Sequence, residues 1–296
     1  MRIFRRLDTF PSLAILGLVL LGGCGRRGIQ NKGSDTMLEL AQAWAEAYPT
    51  KSVSVEVSGG GSGVGIAALI NGTVDLANAS RPLSEQEIAD AKRKTGKDPI
   101  QHVVGYDALA VYVHKDNPIE EITIEQLKQI YAEGGTITKW SQLGVEVPGC
   151  DRDEIVCLSR QNNSGTYEYF REHVLGKNGK YRLTTIDASG SKDLVTQVGS
   201  TPCAIGYSGM GYKTDAVKFV KVKTADGSPA VAPSVAAVHD GTYPISRPLY
   251  MYTLGAETPE AKAYLDWIRS DAGQEVLERI GYVPLKPEDR TKPGKP

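Results

Sequence analysis

Beyond residue 32, short apolar runs with strand-like alternation are interleaved with segments whose apolar residues recur at helical spacing. This succession of patterns is typical of an α/β protein. Residues 102–114 are rich in β-branched and aromatic side chains, so we expect a central strand there. The pattern predicts strands at 53–57, 74–79, 102–114, 155–158, 204–207, 217–222 and 249–254. It predicts helices at 37–48, 65–71, 84–94, 124–132, 167–175, 259–268 and 271–280, and an irregular connection at 224–244.

The N-terminus departs from this pattern. Three arginines precede an apolar run of nine residues, Leu13 to Leu21, which is too short to cross a bilayer of roughly 30 Å as a helix. The run ends in Leu-Gly-Gly-Cys at 21–24, which resembles the lipoprotein box of bacteria, whose cysteine is diacylated and becomes the new N-terminus. We therefore predict a lipoprotein signal peptide at 1–23, a lipid such as palmitate on Cys24, and a polar tether at 24–32. Such an anchor would hold the protein outside the cytoplasm, in the periplasm or on the cell surface, without a spanning helix.

The composition of the chain narrows the function classes. Its 296 residues are 41% hydrophobic and 23% charged, with a formal charge of −1, as in an ordinary soluble globular protein. These values exclude a disordered chain and a protein with several membrane spans, and the lack of a basic excess argues against nucleic-acid binding. Loss of the signal peptide removes three arginines and one aspartate from 34 basic and 35 acidic residues, which leaves −3. Any attraction for an anion must therefore be local.

Three cysteines remain in the exported chain, an odd number for an oxidising compartment. Cys150 and Cys157 flank a charged turn and allow a local disulfide, while a bridge to Cys203 and three free thiols stay open as alternatives. The sequence has no Cys-x-x-Cys pair and no metal-ligand spacing of histidines, so it predicts neither a metal site nor a cofactor. The tail at 286–296, rich in Lys, Pro and Gly, is predicted to be disordered.

Three of the predicted helices begin in the same way, with hydroxyl-bearing residues at the N-cap. The segments are Gly-Ser-Asp-Thr at 33–36, Ser-Gly-Gly-Gly-Ser-Gly at 58–63 and Asn-Ser-Gly-Thr at 163–166. A helix start presents unpaired N–H groups and the positive end of the helix dipole, which together attract anions. The glycines let a ligand approach the backbone, and a cap needs none of them. One such start is read as an ordinary N-cap, whereas three predict an anion site.

Motifs that transform a bound anion are missing from the sequence. Gly60 and Gly65 have the spacing of a phosphate-binding P-loop, but Ile66 stands where its lysine should be. The same segment lacks the Gly-x-Gly-x-x-Gly dinucleotide fingerprint, and the chain has neither a Gly-x-Ser-x-Gly elbow nor His-Glu-x-x-His. We therefore predict a protein that binds an anion and is not an enzyme.

Six short pieces of the chain form an ordered set that spans nearly the whole exported part. They are Gly-Ser-Asp-Thr at 33–36, Ser-Gly-Gly-Gly-Ser-Gly at 58–63, Asn-Ala-Ser-Arg-Pro-Leu-Ser at 78–84, Arg-x-x-x-Ser-Gly-Thr at 160–166, Ala-Ile-Gly-Tyr at 204–207 and Tyr-Pro-Ile-Ser-Arg-Pro-Leu-Tyr at 243–250. This set resembles the PstS-type substrate-binding lipoproteins of bacterial phosphate ABC transporters.

The resemblance implies an α/β periplasmic-binding-protein fold in which two lobes are joined by two crossover strands, near 106–113 and 246–253. Lobe 1 would be discontinuous, with residues 33–109 plus 247–285, and lobe 2 would comprise 110–246. Inorganic phosphate, the permease subunits of an ABC importer and the membrane would be the partners. Phosphate in the cleft would bridge the lobes and stabilise a closed form that the permease recognises.

Matching motif positions also imply the phosphate-binding residues. These are Ser34, Asp35, Thr36, Ser62, Gly63, Arg81, Arg160, Ser164, Gly165 and Thr166. Arg160 would give charge-assisted hydrogen bonds. Arg81 stands where better-known members have an aspartate that accepts the proton that phosphate carries and sulfate lacks. Asp35 is then the nearest replacement acceptor, or selectivity over sulfate is weaker; Arg81 as a packing arginine and Asp35 as a first-turn carboxylate remain alternatives.

Three other functions compete with a phosphate receptor. The first is a receptor for another tetrahedral oxyanion such as sulfate or molybdate. The second is a phosphate-sensing surface protein that serves a signalling partner. The third, a phosphatase, would need a nucleophile–base pair or metal ligands, and the sequence has neither.

Overall fold

The structure is a computed structural model that describes residues 28–50 and 52–291. Within them, ten strands alternate with nine α-helices. The strands are β1 Gly28–Gly33, β2 Ser54–Ser58, β3 Leu76–Ala79, β4 Pro99–His114, β5 Glu121–Thr123, β6 Val156–Arg160, β7 Ile186–Ala188, β8 Ala204–Gly209, β9 Val217–Lys223 and β10 Ser246–Leu254. The helices are α1 Leu38–Ala47, α2 Ser62–Ile70, α3 Glu85–Thr95, α4 Ile124–Tyr131, α5 Gly165–Phe170, α6 Ser191–Ser200, α7 Val235–His239, α8 Pro259–Ile268 and α9 Asp271–Arg279. The predicted α/β class is confirmed.

The strands form one mixed sheet in the order β2-β1-β3-β10-β4-β8-β6-β7, and β9 joins β5 to β4. β4 and β10 lie side by side at its centre and run antiparallel. We call residues 28–98, with β1 to β3, the first flank, and residues 115–245, with β5 to β9, the second flank. β4 continues from its pairing with β10 into pairing with β8 and β9, so the two central strands connect the flanks.

The hydrophobic core explains why β4 occupies the centre. Its residues from Ala108 to Val113 are all fully buried and apolar. A strand that is buried on both faces reads as a continuous apolar run, and this is the feature from which the sequence predicts a central strand. All seven predicted strands and all seven predicted helices occur, with bounds that differ by a few residues.

Five elements carry no clear signal in the sequence. β1 lies within the predicted tether, and the structure corrects that interpretation for residues 28–32: a segment with only Ile29 as a large apolar side chain is held by backbone pairing to β2 and β3. α7 replaces part of the predicted irregular connection. The short strands β5 and β7 and the helix α6 complete the set.

The predictions for the two ends of the chain have different outcomes. The signal peptide at 1–23, Cys24 and the first part of the tether lie outside the described residues. The predicted disorder of the tail is wrong for residues 286–291, where Pro287–Asp289 form a 3₁₀ turn. Arg290 fixes this segment through hydrogen bonds to the carbonyl of Leu285 and the carboxylate of Asp271, at 3.0 and 2.9 Å.

One disulfide joins Cys150 to Cys203, with their Cα atoms 5.0 Å apart. The local pairing of Cys150 with Cys157 is therefore wrong, and the bridge to Cys203 is the alternative that holds. Cys157 is free and buried in β6. The amide of Val156 bonds the carbonyl of Cys203, which brings residue 203 beside this strand although it is distant in the sequence.

Candidate anion-binding site

The conformation of the second helix start, at residues 58–63, shows why it contains a run of glycines. Gly60 and Gly61 have φ angles of 118° and 91°, which side chains rarely adopt, and they turn the chain from β2 into α2. A Cβ at Gly61 would lie 2.6 Å from the carbonyl oxygen of Asn163 in the second flank. Both the left-handed conformation and the close approach of the flanks thus require glycine here.

The third helix start meets the second face to face. Ser164 caps α5, since its hydroxyl accepts hydrogen bonds from the amides of Thr166 and Tyr167 at 3.2 and 3.4 Å. A Cβ at Gly165 would lie 2.4 Å from Oγ of Ser62 and 2.7 Å from Oγ of Ser80. Gly165 therefore lets the start of α5 touch the start of α2.

The first helix start closes the cluster. A 3₁₀ turn at Asp35–Met37 leads into α1. Ser34 donates to the hydroxyl of Ser80 at 3.0 Å, and Oγ1 of Thr36 lies 2.5 Å from Oγ1 of Thr166 across the flanks. The hydroxyl-bearing side chains brought together are all at most 3% exposed: Ser34, Thr36, Ser62, Ser80, Ser164 and Thr166. Such burial of polar groups is costly unless they have partners.

Unused backbone donors remain at this cluster. The amides of Asp35, Ser62 and Gly165 find no acceptor among the described residues, as expected for the first N–H groups of helices. The amide of Gly63, in contrast, already donates to the carbonyl of Asn163 at 3.1 Å. The three free amides and the positive ends of the helices make the site complementary to an anion.

Arg160 supplies a cation to the same place. It ends β6 and is 1% exposed; its Nη1 donates to Oγ of Ser191 at 2.8 Å, and its Nη2 to Oδ2 of Asp35 at 3.0 Å. Its Nε has no hydrogen-bond partner in the described part of the chain. Burial lowers the pKa of the Arg160 guanidinium, and the charge of Asp35 opposes that shift.

Asp35 is the residue that ties the cluster together. Its Oδ1 accepts a hydrogen bond of 2.7 Å from the amide of Gly60, while Oδ2 accepts from Arg160. The hydroxyl of Tyr212 donates to the Asp35 carbonyl at 2.6 Å. Asp35 thus contacts the glycine turn of its own flank and two side chains of the other.

Arg81 lies beside the cluster with its guanidinium engaged by carboxylates. It makes two hydrogen bonds of 2.8 Å to Glu87 of the first flank, and its Nε forms an ion pair with Glu168 of the second. Nη2 of Arg81 would lie 3.9 Å from a Cβ at Gly63, so the side chain borders the second helix start. The geometry resembles the packing alternative more than that of an unpaired anion ligand, and its contact with phosphate stays a prediction.

Two charged residues of the site are missing from the sequence-based set. Arg247 of β10 and Asp107 of β4 are 1% and 0% exposed and form an ion pair with Nη2 to Oδ2 at 3.0 Å. Burial raises the pKa of the Asp107 carboxyl, and Arg247 counteracts this. The only sequence signal for Arg247 is its place in the family-like piece at 243–250. Ser80 is also missing from the sequence-based set, and its only signal is its place in the piece at 78–84.

Residues 28–50 and 52–291 contain neither a metal-binding cluster nor a membrane-spanning helix. No group of three or more His, Cys, Asp or Glu side chains is arranged there to hold a metal ion. Nor does any helix in this part combine the length and the apolar character that a membrane crossing requires.

Comparison with known proteins places these features in a family. A family model described as a PBP superfamily domain matches residues 22–272. The phosphate-binding protein PstS of Pseudomonas aeruginosa is 34% identical over 269 residues, which cover 87% of this chain and 83% of that protein. The chain belongs to the PstS family of the PBP superfamily.

Solved structures agree with this assignment of the chain as a PstS-family protein. A crystal structure from Clostridium perfringens, assigned as a phosphate ABC transporter substrate-binding protein with bound phosphate, superposes with a TM-score of 0.77 at 30% identity; the match covers 88% of this chain and all of that one. An ABC-type phosphate transport receptor from Vibrio cholerae gives a TM-score of 0.67 at 26% identity, over 87% of this chain and all of that one. The predicted periplasmic-binding-protein fold is confirmed.

Proposed function

We propose that this PstS-family chain binds inorganic phosphate between its flanks and delivers it to the permease of an ABC importer. The observation that carries the proposal is the meeting of three helix starts next to the buried guanidinium of Arg160, where the amides of Asp35, Ser62 and Gly165 have no acceptor within residues 28–50 and 52–291. These groups are hydrogen-bond donors, which suits an anion with several oxygens. The relatives' names and the phosphate in the Clostridium perfringens structure support the choice of anion.

The individual roles follow from the contacts. Ser62, Ser164 and one of the two threonines Thr36 and Thr166 would donate through hydroxyls, since the other threonine proton makes the bond between them. Ser34, whose proton goes to Ser80, would orient that hydroxyl. The amides of Ser62 and Gly165 would donate through N–H, and Arg160 through Nε, which has no partner among the described residues. Gly63 would contribute chiefly by leaving space, because its own amide is already used.

Asp35 would supply the selectivity. Its carboxylate lies next to Arg160 and can accept the proton of HPO₄²⁻ or H₂PO₄⁻. Sulfate carries no such proton, so its oxygen would face the carboxylate with like charge, and this is unfavourable in a buried site. Asp35 would thereby replace the acceptor that Arg81 cannot be.

We further propose that two lobes close around the ligand. Lobe 1, residues 33–109 plus 247–285, contains the first flank from residue 33 onwards, and lobe 2, residues 110–246, contains the second flank. Contacts between the flanks would help to hold the closed form. The side-chain amide of Asn163 donates to the Gly60 carbonyl at 3.0 Å, and Arg81 pairs with Glu168. Ligand that contacts both lobes stabilises the closed form, which the permease would recognise.

The site has donors for holding an anion and no arranged metal ligands in the described part, so we propose a receptor and no enzymatic activity. The lipid on Cys24, after cleavage of the signal peptide at 1–23, would keep this receptor on the outer side of a bacterial membrane.

Thermal unfolding with added oxyanions tests the proposed function. Ligand that binds only the native state stabilises it by roughly 2.7 kcal/mol at a hundredfold excess over Kd. We expect phosphate to raise Tm well above the value with sulfate or molybdate at matched ionic strength, and a series from pH 5 to 8 gives the preferred protonation state. An equal shift with sulfate contradicts the phosphate assignment, and no shift with any of the three favours an interaction protein.

A further inference from the structure

Arg247 contacts hydroxyls of the proposed phosphate site and both flanks at once. It is the cross-strand neighbour of Asp107 in the central pair β10–β4. Its Nη1 donates to the carbonyls of Ser80 at 3.0 Å and Gly165 at 3.3 Å, one in each flank. Because β4 and β10 connect the flanks, this guanidinium is anchored where they meet.

The counter-charge of Arg247 comes from the sheet itself. Oδ2 of Asp107 accepts hydrogen bonds from Nε and Nη2 of Arg247 at 3.2 and 3.0 Å, and both side chains are almost fully buried. Arg160 also has a carboxylate partner, Asp35, so the two arginines differ in their donors and not in their counter-charge. Each nitrogen of Arg247 has an acceptor, whereas Nε of Arg160 has none among the described residues. Arg247 therefore has no donor nitrogen left for a ligand, and its role is separate from that of Arg160.

The remaining donor of Arg247 points at a pair of hydroxyls. Nη2 donates to Oγ1 of Thr166 at 2.9 Å and approaches Oγ1 of Thr36 at 3.5 Å, and these two oxygens are 2.5 Å apart. Each hydroxyl has one proton, and a guanidinium can only donate. One of the two protons makes the bond between the threonines; the other cannot point at Arg247 and is left for a different acceptor.

We propose that Arg247, braced by Asp107, is a positioning residue that turns this leftover proton towards the bound anion and holds the two threonines together when the flanks close. The proposal rests on the proposed phosphate site. Without the guanidinium, the hydroxyl pair can rotate and lose its fixed donor. Lysine at 247 would keep the charge opposite Asp107 but, with a single nitrogen, cannot reproduce the planar fork that contacts both flanks.

A double-mutant cycle on the full exported chain tests this role. Phosphate affinity is measured by calorimetry for the native protein, Arg247→Lys, Thr166→Val and the double variant. We expect Arg247→Lys to weaken binding about tenfold, as for loss of a charge-assisted contact. In the Thr166→Val background, Arg247→Lys should lower phosphate affinity no more than about twofold, because the effects of contacting residues that act through one another are not additive.

A matched control is Arg182→Lys. Arg182 is a part-buried arginine of the second flank whose Nη2 donates to the backbone carbonyls of Gln129, Gly135 and Ile137. This variant should lower Tm and leave phosphate affinity unchanged. If Arg247→Lys behaves in the same way, or if its effect multiplies fully with that of Thr166→Val, Arg247 has only a structural role and the proposal is overturned.

A crystal structure of the unaltered protein with phosphate keeps the test independent of how the variants fold. A threonine hydroxyl of the pair within hydrogen-bond distance of both Arg247 and a phosphate oxygen supports the proposal. Direct contact of Arg247 with phosphate, or no contact of either threonine, overturns it. If the unaltered protein binds no phosphate in calorimetry, it is the proposed function that has failed.

Discussion

Arg160 and Asp35 form an ion pair between the two flanks, with Nη2 of the arginine 3.0 Å from Oδ2 of the aspartate. The arginine ends β6, and the aspartate begins the turn into α1, so the pair joins two of the three helix-start regions. A bound anion would accept a hydrogen bond from Nε of Arg160 without breaking this pair, since Nε has no partner among the described residues.

Removal of the Arg160 side chain should weaken phosphate binding strongly. Loss of a hydrogen bond to a charged group in a buried site costs about 2–3 kcal/mol, or roughly 30- to 150-fold in Kd. Calorimetric titration of Arg160→Ala measures this, with Arg182→Ala as the control arginine outside the site. Affinity that survives in Arg160→Ala shows that phosphate binds elsewhere.

Substitution of Asp35 should change selectivity more than stability. In Asp35→Asn the side chain keeps an oxygen that can accept from the Gly60 amide, but the negative charge beside the anion is gone. We expect phosphate affinity to fall and sulfate affinity to rise, so that the ratio of the two Kd values moves towards one. Competition titrations give this ratio, and an unchanged ratio would mean that Asp35 is only a first-turn carboxylate.

The ion pair between Arg81 and Glu168 should favour closure without touching the anion. Glu168 is about a third exposed, so its pair with Arg81 contributes only modestly. Glu168→Gln should lower phosphate affinity by a factor of a few. Added salt should then change the phosphate affinity of this variant less than that of the native protein, because the variant has lost the ion pair that salt screens. Glu172→Gln is the matched control, because Glu172 is half exposed and pairs with Arg171 within its own flank. Equal affinities for the two variants would contradict a role in closure.

The predictions from sequence succeeded where the signal is local. Apolar periodicity locates β4, and glycine and hydroxyl residues before α2 and α5 mark the helix starts that meet in the site. The contact of Arg247 with Asp107 depends instead on the register of two strands that are 140 residues apart in sequence. The same applies to Cys203, which reaches Cys150 over a separation of 53 residues. β1 was missed because backbone pairing on both sides, rather than apolar side chains, holds it in the sheet.

The disulfide should contribute measurably to stability. Cys150 and Cys203 close a loop with a separation of 53 residues, and the chain-entropy model assigns about 4 kcal/mol to a loop of that size. The Cys150→Ser/Cys203→Ser variant, or reduction of the native protein, should therefore lower Tm while phosphate still binds. Cys157 serves as an internal control: burial raises the pKa of its thiol to about 11, so it should react with an alkylating agent only after unfolding. Rapid alkylation of native Cys157 would contradict its buried position.

The lipid anchor can be tested separately from the binding site. Cys24→Ser removes the thiol that would carry the acyl chains and leaves the apolar run at 13–21 unchanged. In a bacterial host, the unaltered chain should incorporate radiolabelled palmitate and sediment with membranes, whereas the variant should not be labelled. Cys157→Ser is the control, because that cysteine is buried in β6 and should have no effect on labelling. Label that persists in Cys24→Ser would place the lipid on another residue, and an unlabelled native chain would exclude the anchor while leaving the phosphate site unaffected.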